Sequence, residues 1–279
     1  MSYVLLDFDG TLTAPDVITD AFLADYRAAF LAEIGVQHAE TWDRTLAVVR
    51  HGSPHLGWTL EGWEACPADA DPYILASVVA TRVLASVDQS EKAALANTLY
   101  ASLYTRHAAP FRPEAAEVVR TLVARGHRVA IVSNASTGKI EARLEALFGA
   151  DRGGVQIFGQ ARKFGVRSAT RTTVNRARFD ALPDFVGAPG LARPTWLRRG
   201  AFFDCLADIW GDDASGPDAT IFCGDIWELD LALPSALGCA VHLVERAAPL
   251  ATHAAERAAV AATPRAAFSA DLRGLLDRV

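Results

Sequence analysis

An apolar run, Tyr3–Leu6, leads directly into Asp7, with Asp9 two residues on and Gly10 behind it. A short apolar segment closed by an Asp-Gly signal reads as a buried strand whose carboxyl end lifts two carboxylates clear of a sheet. Acids that close repel each other, so the pair requires a cation or a shared proton. Asp7 is thereby a candidate nucleophile of the aspartyl-phosphate kind, and Asp9 a candidate for handling protons. The same residues also suit an ordinary strand end and turn. The rest of the chain decides between them.

Over 279 residues, 51% of them hydrophobic and 22% charged, the chain is long enough for one large domain or a core with a smaller module. A net charge of -6 argues against general binding to nucleic acid or to an anionic membrane. No apolar run is long enough for a membrane span, and no basic segment precedes the first strand, so neither a span nor a secretory signal is expected. Cys66, Cys205, Cys223 and Cys239 are widely spaced without a CxxC pair. Reduced thiols in a cytoplasmic protein fit that spacing better than zinc or a disulfide framework, with Cys223 and Cys239 in the core.

Five short runs read as buried strands: Tyr3–Leu6, Arg128–Val132, Val155–Phe158, Thr220–Cys223 and Ala240–Val244. Most lie beside a helical pattern, which predicts an α/β fold with a parallel five-stranded sheet covered on both faces. Pro113, Thr137 and Gly200 open three such helices. About a hundred residues separate the first two strands, far more than a crossover needs. That interval has helical spacing over 20–34, an Asp71-Pro72 cap before Ile74, Leu75 and Val78, and an Asp88/Glu91 capping box before Leu95, Leu99 and Leu103. A helical module inserted after the first strand is therefore expected. From Arg246 onward the chain is Ala-rich and helical in pattern, with Leu272, Leu275 and Leu276 suited to docking on the core.

A second interruption, 159–199, carries Arg162, Arg167, Arg171, Arg176, Arg178, Arg193, Arg198 and Arg199 together with Lys163. It is either a solvated loop or a surface that meets phosphate or another anion.

Two further strand ends carry chemistry. After Arg128–Val132 come Ser133 and Asn134 before a helix, which suits either an N-cap or a cradle for phosphate. After Thr220–Cys223 comes Gly224, which permits a tight turn, then Asp225, with Asp230 five residues on. Magnesium takes oxygen ligands, so Asp225 facing Asp7 would complete a site. In an open parallel sheet, ligands bind outside the carboxyl ends of the strands, which gathers Asp7, Asp9, Ser133, Asn134 and Asp225 at one edge.

These segments resemble the haloacid dehalogenase superfamily of aspartate-nucleophile phosphotransferases. The first motif matches Asp7-Phe8-Asp9-Gly10-Thr11-Leu12-Thr13, the second Ile131-Val132-Ser133-Asn134, and the fourth Gly224-Asp225 with Asp230 and Ala236-Leu237-Gly238. The resemblance implies a three-layer Rossmann-like core over 1–15 and 108–279, with an inserted C1-type helical cap over 16–107. The arginine-rich insertion, 159–199, would then lie within the core. It departs at the third motif, where the family usually supplies a lysine and this chain has Arg198-Arg199-Gly200. Lys163 and Arg199 are both candidates for that role, with Lys163 slightly favoured.

The resemblance further implies a magnesium-dependent phosphatase acting on a small phosphorylated metabolite. Asp7 would be the nucleophile and Asp9 the acid and base. Asp7, the Asp9 backbone carbonyl and Asp225 would hold Mg2+, with Asp230 outside them. Thr11, Ser133, Asn134 and the basic group would contact phosphate. The intact second acid argues against dehalogenation and phosphonate cleavage. A phosphomutase, or a scaffold that has lost turnover, are the alternatives. Trp42, Trp58, Trp63, His51 and His55 either line a pocket over the substrate or pack helices together. The oligomeric state is not legible.

Overall fold

Alternate residues along the buried strands face opposite sides of one sheet, and each side carries its own apolar cluster. Val4 and Leu6 join Val129, Ile131, Ile221 and Cys223 on one face, while Tyr3 and Leu5 join Ala130, Val132 and Phe222 on the other. Full burial of a Leu or Val side chain contributes about 1.5–3 kcal/mol, so a one-residue slip of this register would be strongly disfavoured.

The computed structural model describes residues 2–279; Met1, with which the expected core begins, lies outside them. The chain runs through β1 (Tyr3–Leu6), α1 (Thr19–Ile34), α2 (Ala39–Gly52), β2 (Gly57–Leu60), β3 (Trp63–Pro67), α3 (Pro72–Ser86) and α4 (Ala94–Arg106). It continues with α5 (Ala115–Ala124), β4 (Arg128–Val132), α6 (Thr137–Phe148), β5 (Gln156–Phe158), α7 (Arg176–Asp180), β6 (Phe185–Val186) and β7 (Thr195–Trp196). Last come α8 (Gly200–Trp210), β8 (Thr220–Gly224), α9 (Ala232–Ala236), β9 (Ala240–Val244), α10 (Ala254–Ala261) and β10 (Ala266–Ser269).

The central sheet has six strands in the order β10-β9-β8-β1-β4-β5, with every pairing parallel. Helices α5 and α6 pack apolar side chains (Val118, Leu122, Ile140, Leu144) on one face, and α8 packs Phe202, Phe203 and Leu206 on the other. The result is a three-layer Rossmann-like core. From β1 the chain order diverges toward both edges, so the crevice between neighbouring strand ends opens at β1.

The sixth strand corrects the expected count of five. β10 pairs with β9 at the sheet edge, within the region past Arg246 whose Ala-rich pattern predicts helix, of which α10 is the part that forms. Its sequence, Ala266–Ser269, is short and its Phe268 is 48% exposed, so neither length nor burial marks it as a strand. Leu272 and Leu275 beyond it are fully buried against the core, and Leu276 packs beside them in part.

The inserted module is a helical cap with its own apolar cluster, built from α1 to α4 around Phe22, Tyr26, Phe30, Trp42, Leu75 and Val79. Asp71 caps α3, accepting from the Ile74 amide at 2.6 Å with Pro72 in the first turn. The capping box expected before α4 does not form. Asp88 sits at φ +56 in a turn, and no side chain caps α4. The module also contains an antiparallel hairpin, β2–β3, turning at Glu61-Gly62 with φ +51 and +88. Two positive φ values suit the tight turn that joins twisted strands.

The arginine-rich insertion is largely irregular and nearly half exposed, as a solvated loop would be, but several of its arginines are engaged by carboxylates rather than left open to an anion. Arg176 pairs with Asp180 and Arg178 with Asp218, at 2.8 and 2.7 Å; Arg171 pairs with Asp208 and the buried Arg193 with Glu228, at 2.9 and 2.5 Å. Arg162 and Arg167 are exposed. The segment is pinned to the core by its own charges.

Candidate active site

The carboxyl ends of β1, β4 and β8, with the loop after β5, meet above the crevice at β1. Asp7 continues β1, its amide donating to the Cys223 carbonyl at 2.9 Å, so the backbone ladder itself fixes the residue. Gly10 turns the chain at φ +91, and a Cβ there would run into the Asp225 carboxylate. Gly224 plays the reciprocal part, since a Cβ on it would run into Asp230. The two glycines let three carboxylates approach.

Asp7, Asp225 and Asp230 each offer an oxygen within 4.8 Å of the others, and all are buried. The Lys163 ammonium donates to Asp7 at 2.5 Å and to Asp230 at 2.8 Å. Asp230 is held by a wide helical turn, Trp227–Leu231, and its other oxygen accepts from the Ile226 amide at 3.0 Å. Thr11 directs its hydroxyl toward Asp225 at 3.3 Å and toward Asp7 at 3.5 Å. The second Asp225 oxygen is buried with no hydrogen-bond partner.

Burial is the largest influence on these acids. It raises Asp7 to about 7; Lys163 opposes it and Asp230 adds to it. Burial likewise raises Asp225 well above the usual carboxylate range, with Asp230 adding and Arg246 opposing. The orphaned Asp225 oxygen and the all-oxygen donor set fit a hard divalent cation.

Asp9 stands on the cap side of the cluster. The Tyr104 hydroxyl, from α4, lies 3.0 Å from both its oxygens, and Thr13 lies at 3.5 Å. Lys139 sits 4.3 Å over the Tyr104 ring. Burial raises Asp9, while the Tyr104 hydrogen bond and then Arg143 and Lys139 lower it.

The remaining expected residues divide. Ser133 is buried at the end of β4 and accepts from the Ala135 amide at 3.1 Å. Asn134 is exposed, and its side-chain oxygen receives the Lys163 amide at 2.8 Å, so it fixes the lysine backbone. Arg199 does not reach the cluster. Its buried guanidinium donates to the carbonyls of Lys163, Ala65 and Trp196 at 2.8, 2.7 and 2.9 Å, bracing the lysine loop against β3 of the cap. Arg198 faces the Asp180 and Leu182 carbonyls, away from Asp7. The cation beside Asp7 is Lys163, delivered by the loop after β5.

The tryptophans also divide. Trp42 is buried in the cap core, Trp63 packs on Trp196 with ring centroids 4.3 Å apart, and Trp58 faces the cavity over the acids. His51 and His55 are exposed.

Sequence reasoning missed two contributors. Tyr104 comes from a helix whose pattern gives no hint of contact with Asp9. Arg246, just past β9, is buried, donates to the Asp225 carbonyl and pairs with Glu256. Its only signal was a charged residue at a strand end. The cysteines are unpaired, with Cys66, Cys223 and Cys239 buried.

The chain belongs to the haloacid dehalogenase-like hydrolases, whose family model matches residues 1–222. The match stops before Asp225 and Asp230, whose place beside Asp7 rests on the geometry. No curated protein matches the chain. Among solved structures, it is similar to a predicted phosphoglycolate phosphatase from Haemophilus somnus 129pt, at 16% identity and a TM-score of 0.54. It is also similar to a HAD phosphatase from Thermococcus onnurineus, at 14% and 0.51, and to a haloacid dehalogenase-like family hydrolase from Streptococcus pneumoniae, at 10% and 0.53. Each alignment covers 99% of this chain and 97% of the other. At these identities the likeness describes the fold. Among the described residues, no helix is long and apolar enough to cross a membrane.

Proposed function

We propose that this hydrolase is a magnesium-dependent phosphatase that releases phosphate from a small phosphorylated metabolite. The reading is carried by the buried Asp7–Asp225–Asp230 cluster with Lys163 against it and one Asp225 oxygen left without a hydrogen-bond partner.

An Asp7 oxygen attacks phosphorus in line and breaks the bond to the organic oxygen, whose electron pair takes the proton of Asp9. Water, giving its proton to Asp9, then attacks the aspartyl-phosphate and releases phosphate, restoring the Asp7 carboxylate. Lys163 holds Asp7 in place and offsets charge on the transferring oxygens, with Ser133 and Thr11 beside it. Asp7, the Asp9 carbonyl and Asp225 would hold magnesium, with Asp230 turned to Lys163; the ion, when bound, neutralises charge between carboxylate and phosphate. Asp9 is the discriminating group, because a departing alkoxide needs a proton and a departing halide does not. The unpaired cysteines suit a reducing, cytoplasmic setting.

The test is phosphate release from a panel of phosphate esters with magnesium, for the wild type and Asp7→Asn. Release by the wild type that the substitution abolishes is expected. Release that survives it removes Asp7 as the nucleophile.

A further inference from the structure

The cap closes over the acids to leave a cavity of about 400 Å³, a volume suited to a small organic ligand. Its walls are largely flat and apolar. Trp58 comes from β2, Tyr73 and Ile74 from α3, Tyr100 from α4, Phe164 from the loop after β5, and Leu229 from the turn before α9. Trp58 and Phe164 meet edge to face at 5.7 Å, as do Tyr73 and Tyr100.

The charges are one-sided. Among the described residues, no lysine, arginine or histidine lines the cavity, whereas Asp7, Asp9, Asp71 and Asp230 do. Lys163, just beneath, is taken by Asp7 and Asp230, at the end where the phosphoryl group would sit. Asp71, which caps α3, has no basic partner across the cavity. Tyr73, in the first turn of α3, is 7% exposed and its hydroxyl has no hydrogen-bond partner. Neutral donors, among them the Tyr73 hydroxyl and the Asn97 amide, are thus available to an oxygen of the ligand, while Lys139, a basic side chain outside the cluster, packs over the Tyr100 and Tyr104 rings rather than lining the cavity.

Resting on the phosphatase reading, we propose that the organic part of the substrate is a flat, apolar or aromatic group without negative charge, and that esters carrying a second anion are rejected. A carboxylate brought into this cavity would lose its hydration beside Asp71 and Asp9 with no basic side chain in the lining to receive it, which is unfavourable. An aromatic ring would replace water against Trp58, Phe164 and Tyr100 and gain their edge and face contacts.

Benzyl phosphate and 4-carboxybenzyl phosphate test this, since they share the same leaving oxygen and differ in charge at the far end. The expected result is a kcat/KM at least about tenfold higher for benzyl phosphate, matched by a similar affinity ratio for the two non-hydrolysable phosphonates. Asp71→Asn, which keeps a capping oxygen for α3, is expected to narrow that ratio several-fold. Equal or reversed preference, in turnover or in phosphonate affinity, overturns the inference. If neither these nor any other ester is hydrolysed, the phosphatase reading falls, and the phosphonate affinities decide the substrate class by themselves.

Discussion

The Lys163 ammonium lies 2.5 Å from an Asp7 oxygen, with both side chains buried. Nothing else within the cluster offsets Asp7, because its other neighbours there are Asp225 and Asp230. Lys163→Met therefore leaves carboxylates facing one another in a dry site. Phosphate release is expected to fall by about a hundredfold or more. Unfolding free energy from urea titration is expected to drop by about 3 kcal/mol, the scale of a broken buried pair. Unchanged turnover would remove the lysine from the mechanism.

A divalent ion should compete with protons. Asp7 is raised from 3.8 to about 7, and Asp225 is raised as well, each first by burial. Between about pH 4 and about pH 7 the folded protein then holds a proton at Asp7 that the unfolded chain has lost, so stability without metal falls as pH rises across that window. Magnesium binding near pH 7 must expel those protons. Calorimetry in buffers of different ionisation enthalpy should show proton release and affinity that increases with pH, both diminished in Asp225→Asn. Binding without proton release would contradict the ligand set.

Tyr104 reaches from the cap to Asp9, and its hydrogen bond lowers the pKa of that acid. Tyr104→Phe should raise it. In the proposed mechanism Asp9 donates its proton in the first step, so the alkaline limb of the kcat/KM profile should move to higher pH, with turnover reduced roughly tenfold. A limb that stays put or moves to lower pH would separate Tyr104 from the proton transfer.

Arg199 satisfies three carbonyls at once, among them that of Lys163. Arg199→Met strands them in a buried place and should cost at least about 3 kcal/mol of stability by urea titration, since each unpaired buried group costs about 1–3 kcal/mol. It should also slow turnover, although Arg199 touches no reacting atom. Stability loss with full activity would limit the residue to the fold.

His242 on β9 is buried, with one ring nitrogen 2.7 Å from the Ser269 hydroxyl and the other without a partner. Burial lowers its pKa from 6.5 to about 4. The unfolded chain therefore binds the extra proton between those values, and its contribution to stability is present above pH 6.5 and lost as pH falls through 4. The full loss amounts to about 3 kcal/mol. His242→Gln should show a shallower decline than the wild type in urea unfolding from about pH 7 to about pH 4.

The parallel sheet was legible because its central strands are buried on both sides and so read as continuous apolar runs. β10 was not, because an edge strand of Ala266–Ser269 has neither length nor an apolar face. Asp7, Asp9, Ser133 and Asp225 were legible as polar residues stationed where such runs stop. The place of Lys163 followed from loop geometry that no periodicity encodes, which is why Arg199 competed with it. The arginines of 159–199 looked like an anion surface because their partners, Asp208, Asp218 and Glu228, lie on later elements of the chain. Tyr104 belongs to the same class of long-range contact.

Covalent participation of Asp7 is tested most directly by rapid acid quench of a single turnover, followed by mass spectrometry of the peptide that contains it. The account predicts one phosphoryl group on Asp7, formed and lost at rates that match phosphate release and missing in Asp7→Asn. Full turnover with no adduct on that peptide, or with the phosphoryl group on another residue, would contradict it.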